Sequence, residues 1–311
     1  AFSAIRGKSN IDVERQNLRM LISVIIASYN SEATIERCIG SLGNQITNAE
    51  FEVIVVDSST DETPGIIKRA FPDVTLVRLD ERTFQGPARN IGIQRAKGDI
   101  LAFMDADCVA PPNWLSNIIR AHESQFHVIC GSVRNGHPES LVSWAEFFFA
   151  ASEYLEHAPR RCVKVAPGCN MSCKRKVFEE CGFFPDTYRL EDMLFSQNVL
   201  ENGHQILFEP SICVYHLYRT RLKDLLSREV LSGRILGRTS KRQKMKGSVL
   251  YKNRLFCLAF PFIKTYLPFI RILRWDRKLI RRFLRALPLL FIALSATTFG
   301  LITASLSNEN L

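Results

Sequence analysis

Asp105-Ala106-Asp107 sets two carboxylates one residue apart directly after an apolar run, Ile100-Leu-Ala-Phe-Met104. Carboxylate oxygens are hard donors. A pair of them at the tip of a buried strand suits a divalent cation, Mg2+ or Mn2+, that also holds a diphosphate. Two neighbouring acids are common in any chain, so the meaning of this pair comes from the polar residues that close other apolar runs. Ser28, Tyr29 and Asn30 follow the first run, Asp57, Ser58 and Ser59 close the second, and His216 follows Ile212–Tyr215. Glu191 and Asp192 form a further acidic pair in a stretch with the charge pattern of a helix start.

The elements that must position these groups alternate. Leu21–Ala27, Glu52–Asp57, Thr75–Leu79 and Ile100–Met104 read as short buried strands rich in Val, Ile and Leu. Ser31–Leu42, Asp61–Phe71, Gly86–Ala96 and Pro112–Glu123 read as the helices between them. This rhythm predicts an α/β fold with a mostly parallel sheet flanked by helices. In such sheets ligands bind beyond the carboxyl ends of the strands, which is where the polar residues fall. Neither a Gly-x-Gly-x-x-Gly turn nor a Gly-Lys-Ser/Thr loop is present, so a dinucleotide-binding fold and a P-loop enzyme are not indicated.

The chain has 311 residues and a net charge of +10, unevenly spread. Arg219 to Arg285 holds 20 Lys and Arg against Asp224, Glu229 and Asp276, a net of +17, which leaves −7 for the rest. A basic tail on an acidic body predicts contact with an anionic surface. Leu287 to Leu306 is 20 residues without a charge, about the length that crosses a bilayer core, and a run of Arg and Lys precedes it. The alternative is a buried C-terminal helix. Leu255–Ile270 is shorter and interrupted by Pro261, Lys264 and Pro268, and reads as an interfacial or re-entrant segment. Ala1–Arg19 is polar, with no apolar core of a secretory leader, and nine scattered Cys fit reduced thiols. The expected place is therefore a membrane surface, with the catalytic domain cytoplasmic. No helix-turn-helix or aromatic platform accompanies the basic tail, so nucleic acid is not an expected partner.

Six motifs carry a family resemblance. They are Ser23-Val-Ile-Ile-Ala-Ser-Tyr-Asn30, Val53-Ile-Val-Val-Asp-Ser-Ser-Thr-Asp61, Gly86-Pro-Ala-Arg-Asn-Ile-Gly92, Gly98-Asp-Ile-Leu-Ala-Phe-Met-Asp-Ala-Asp107, Gly168-Cys-Asn-Met171 and Leu190-Glu-Asp-Met-Leu-Phe-Ser196. In their order and spacing they resemble the family 2 glycosyltransferases over residues 20 to 220. The resemblance implies the GT-A nucleotide-diphospho-sugar transferase fold, an inverting mechanism and a divalent metal. It implies nucleotide-sugar contacts from Ala27, Tyr29, Asn30, Glu32, Asp57, Arg89 and Asp105. Within that set Asp57 accepts a hydrogen bond from the base, which favours a base edge with an N–H such as uracil. Tyr29 stacks on the base, and Arg89 lies on the diphosphate or base side. Asp107, with Asp105 and His216, is implied to hold the metal, and Asp192, beside Glu191, to be the general base.

The chain also departs from the family. Ala27 stands where many relatives carry Pro or Thr. Arg271-Ile-Leu-Arg-Trp275 is similar to the Gln-x-x-Arg-Trp signature of processive synthases, but Arg replaces Gln. With at most two spans and no polymer channel, a single sugar addition to a lipid-linked or membrane-proximal glycan is the reading. The domains expected are an N-terminal extension at 1–19, a catalytic domain at 20–218, a basic interfacial segment at 219–254 and an apolar tail at 255–311. A nucleotidyltransferase is the runner-up among enzymes, but it needs a glycine-rich loop where Ala-Ser-Tyr-Asn stands. An inactive binding module would lack the acids.

Overall fold

The structure, a computed structural model, describes residues 21–242 and 254–306. The expected extension at 1–19 and the part of the basic segment at 243–253 lie outside the described residues. Strands β1 (Ile22–Ser28), β2 (Phe51–Asp57), β3 (Thr75–Arg78) and β4 (Ile100–Asp105) are followed by β5 (Cys108–Val109), β6 (Val128–Asn135), β7 (Arg161–Val163), β8 (Asn170–Lys174) and β9 (Ile206–His216). Helices are α1 (Ile35–Gly43), α2 (Thr63–Ala70), α3 (Gln85–Arg95), α4 (Trp114–His122), α5 (Leu141–Ala151), α6 (Lys176–Cys181), α7 (Glu191–Glu201), α8 (Leu222–Arg242), α9 (Arg254–Trp275) and α10 (Ile280–Leu306). Two compact units result, interleaved in sequence.

The first unit comprises, of the described residues, 21–106, 110–130 and 162–207. Its strands run in the order β3-β2-β1-β4-β8-β6. β1 pairs parallel with both β2 and β4, whereas β8 pairs antiparallel with β4 and β6. The sheet is therefore mixed and mostly parallel on its β3–β4 side, as a GT-A fold requires. β1, Ile-Ser-Val-Ile-Ile-Ala-Ser, is buried along its whole length, which explains its unbroken apolar run. Its one interior polar side chain is satisfied: Ser23 Oγ donates to Glu52 Oε1 at 2.6 Å and accepts from the Gly98 N–H at 2.8 Å. α1 buries Ile35, Cys38, Ile39 and Leu42, the i, i+3, i+4, i+7 stripe of an amphipathic helix. The register sets Ser28 opposite Asp57 and Ala27 opposite Asp105. The carboxyl ends of β2 and β4 thus flank that of β1, where the chain order reverses.

The second unit comprises 107–109, 131–161 and the described residues from 208 onward. It carries the β5–β9 pairing, antiparallel with Cys108 opposite His216, and the four helices α5, α8, α9 and α10. α5 buries Trp144, Phe147 and Phe148 and is capped by Ser140, whose Oγ accepts from the Ser143 N–H at 3.2 Å. α8 lies along α10 by way of glycines. A Cβ at Gly233 would come within 2.0 Å of the Thr297 carbonyl oxygen, and one at Gly300 within 2.1 Å of that of Val230. The segment read as broken at Leu255–Ile270 is one helix, α9, with Pro261 and Pro268 inside it. Among the described residues one stretch, Arg277–Ala304, is long and apolar enough to cross a membrane.

Candidate active site

At the ends of β1 and β2, Asn30 adopts a left-handed φ of 51°, which Asn tolerates. Its N–H donates to Ser59 Oγ at 2.7 Å, and Ser59 Oγ donates on to Asp57 Oδ1 at 2.5 Å. Asn30 Oδ1 accepts from the Thr60 N–H at 2.9 Å, so the two strand ends are tied together. Asp57 is fully buried, and its Oδ2 is held by Arg78 from the end of β3. Arg78 Nη2 also donates to the Ser59 carbonyl at 3.0 Å. Glu32 sits on the exposed rim, where its Oε2 accepts from the Glu62 N–H at 3.3 Å. The exposed Tyr29 ring carries the Arg82 guanidinium 4.5 Å above its centroid. Phe84 and Tyr188 meet edge to face beside it at 4.7 Å.

Beneath this rim lies a charged cluster. Arg89, on α3, is only 1% exposed. Nη2 donates to Asp105 Oδ1 at 2.7 Å and Nη1 to Glu191 Oε1 at 2.8 Å. Burial alone would lower the Arg89 pKa, but the two carboxylates outweigh it and hold the guanidinium charged. The guanidinium rests on Gly168, where a Cβ would lie 2.6 Å from Nη1. Arg189 and Leu190 precede α7 in left-handed conformations, φ 68° and 64°. Each costs about 1–2 kcal/mol for a residue with a side chain. This turn aims the start of α7. Glu191 points to Arg89, and Asp192 accepts from the Gly168 N–H at 3.2 Å and the Met193 N–H at 2.7 Å. Burial first, and the Glu191 charge second, push the Asp192 carboxyl up to about 6.

In the second unit, Asp107, Cys108 and His216 bring their ligand atoms within 4.8 Å of one another. Asp107 Oδ1 and His216 Nε2 are 3.6 Å apart. The imidazole stacks on Tyr218, with centroids 4.1 Å apart at 8°, and its buried Nδ1 has no hydrogen-bond partner. A carboxylate and an imidazole held by paired strands fit a divalent ion, and an orphaned ring nitrogen is the kind of atom such an ion satisfies.

The sequence model described as Glycosyl transferase family 2 matches residues 23–182. The chain belongs to that family. It is similar to the glycosyltransferase AglE of Haloferax volcanii, 26% identical over 79% of this chain and 81% of that protein. It is also similar to YfnE of Bacillus subtilis, named an uncharacterized glycosyltransferase, 37% identical over 52% of this chain but only 40% of that protein. Among solved structures, the mannosyltransferase PcManGT of Pyrobaculum calidifontis, in complex with GDP-Man and Mn2+, superposes with a TM-score of 0.60. It covers 94% of this chain and 88% of its own at 19% identity. GalNAc-T7 with UDP, GalNAc and Mn2+ gives 0.52 over 65% of this chain and 45% of its own at 18% identity. Both likenesses concern the GT-A fold.

Within this family 2 glycosyltransferase the expected residues separate. Arg89 meets both Asp105 and Glu191 and is an interior ion-pair centre. A buried guanidinium is tolerable only between such partners. Glu191 is turned away from Asp192's hydrogen bonds and serves Arg89. Asp105 is not among the three residues whose ligand atoms converge, and its Oδ1 accepts from Arg89. The side chain of Ala27 packs in the core with Ile54, Val56 and Ala88. Arg78, Arg82 and Cys108 were missed by sequence reasoning. Arg78 follows from the register that sets it opposite Asp57, and Cys108 from its place beside Asp107. Arg82 gave no signal in the sequence.

Proposed function

We propose that this glycosyltransferase moves one sugar from a nucleotide-sugar donor, a UDP-sugar by the acceptor chemistry of Asp57, to a hydroxyl of a lipid-linked or membrane-proximal glycan, with inversion at the anomeric carbon. The observation that carries the reading is Asp192. It is a carboxylate at a helix start, aimed by two backbone N–H groups and raised to about 6. A base works best with a pKa near the working pH, and this one is ionised at neutrality while still able to take a proton. The acceptor oxygen attacks C1 opposite the diphosphate, its proton passes to Asp192, and the C1–oxygen bond to the diphosphate breaks with the electron pair on the leaving phosphate. Asp107 and His216 would hold a divalent ion, Mn2+ or Mg2+, which when bound offsets charge on that phosphate. Tyr29 offers a face to the base once Arg82 moves or sandwiches it. Asp57 accepts from Ser59 and pairs with Arg78, and its remaining acceptor sites would take an N–H of the base. Arg89 and Glu191 act as positioning residues for Asp105 and the α7 turn.

The test is transfer by Asp192→Asn. Nucleotide-sugar binding should persist and turnover should vanish, and retained turnover removes the base role. A thermal-shift screen of nucleotide sugars with Mn2+ identifies the donor, since a bound ligand raises apparent stability.

A further inference from the structure

The exposed faces of α9 and α10 form one apolar surface. On α9, Leu258, Phe262, Tyr266 and Ile270 recur every fourth residue and are all exposed. On α10, Leu284, Phe291, Ile292 and Phe299 share a second exposed stripe. The two stripes are continuous, because the exposed rings of Phe262 and Phe291 meet edge to face with centroids 5.2 Å apart. Exposed Arg274, Arg277, Lys278, Arg281 and Arg285 cluster where α9 ends and α10 begins. An apolar face bordered by cations complements an anionic lipid surface.

The opposite face of α10 is covered by protein, and 44% of the apolar stretch is buried. A polar chain with buried Glu146, Glu229 and Thr297 runs there. Arg219 Nη1 donates to Glu146 Oε1 at 2.7 Å, Arg228 Nη1 bridges Glu146 and Glu229 at 3.0 and 2.8 Å, and Glu229 Oε2 accepts from Thr297 Oγ1 at 2.9 Å. α10 could not enter the bilayer by its C-terminal end without drawing in α8, locked to it at Gly233 and Gly300 and carrying Arg228, Glu229 and Arg234. Each such charge costs about 2.5–3.5 kcal/mol at mid-bilayer on the insertion scale. Entry by the α9–α10 turn would carry five cations across.

We infer that α10 does not span the membrane, and that α9 and α10 together lie in the plane of an anionic lipid surface with their shared apolar face in the headgroup–acyl boundary. This rests on the membrane-surface reading above and specifies its mode. The test attaches a polarity-sensitive fluorophore to Phe262→Cys, Leu284→Cys, Ile292→Cys and Phe299→Cys, each in a Cys162→Ser background. The full chain is bound to phosphatidylglycerol–phosphatidylcholine vesicles, and depth is read by spin-labelled lipids. All four probes should report one shallow depth. An Ile292 probe at the bilayer centre with Leu284 and Phe299 probes near opposite surfaces overturns the inference but keeps membrane association. An unmodified chain that ignores vesicles overturns both, and a lipid-indifferent dimer by light scattering assigns the face to a second copy instead. The pair Phe262→Asp and Phe291→Asp should weaken vesicle partition at least about tenfold, with the far-ultraviolet dichroism unchanged. Undiminished partition overturns the face assignment.

Discussion

Asp105 and Asp107 are one residue apart in the chain, yet their surroundings are opposite. Asp105 belongs to the first unit and spends its charge on Arg89, itself shared with Glu191. Asp107 belongs to the second and faces an imidazole with an unsatisfied buried nitrogen. One acid is committed to holding the protein together around a buried cation of its own. The other stands where a cation from outside can complete the set.

The largest effect is expected at Asp192, the proposed base. Asp192→Asn should lower kcat about 10^3-fold with donor KM unchanged in initial-rate assays. The same substitution should leave the melting temperature equal or higher. The folded pKa of about 6 lies above the ordinary 3.8, so ionisation of Asp192 costs stability as pH rises through 6, and Asn removes that cost. Next, Arg89→Met should cost about 3–5 kcal/mol in denaturant unfolding, because the buried Glu191 and the half-buried Asp105 lose their counter-charge. Asp107→Asn should shift unfolding far less, and equal losses would erase the contrast between the two acids. Third, Asp107→Asn or His216→Gln should raise the Mn2+ concentration for half-maximal activity at least about tenfold. Asp105→Asn should leave that concentration near the unaltered value, and a matching rise would return Asp105 to the metal. The smallest effect is pH itself. Activity at pH 5 should be about tenfold below its plateau, since Asp192 must be ionised to accept a proton and loses that form below about 6. A flat profile from 5 to 7 assigns the proton elsewhere.

The sequence was most legible where burial is symmetric. β1, β2 and β4 are apolar runs ended by polar residues, and their positions and parallel pairing follow from pattern alone. β6 and β8 escaped, because Val-Ile-Cys-Gly-Ser-Val-Arg-Asn and Asn-Met-Ser-Cys-Lys hide buried Ser, Cys and Asn in hydrogen bonds that no periodicity announces. Tertiary partners decided the site as well. Asn170 is buried because its Oδ1 accepts from Trp114 Nε1 at 2.9 Å. Arg89 was legible as a functional arginine but not as an interior one, since its two acids lie 16 and 102 residues away. The tail divided in the same manner. Length and charge marked a membrane segment, while the Glu229–Thr297 bond that ties one side of it to α8 is invisible to hydropathy.

Gly168 has no side chain, and for that reason two partners converge on it. The Arg89 guanidinium occupies the space a methyl group would fill, and the amide hydrogen of the same residue reaches Asp192. A single backbone position therefore acts as a tuning peg between the stabilising cation and the proton acceptor. Enlarging it by one carbon would press on the Arg89 guanidinium and, through the same backbone position, retune the acidity of a residue 24 positions away.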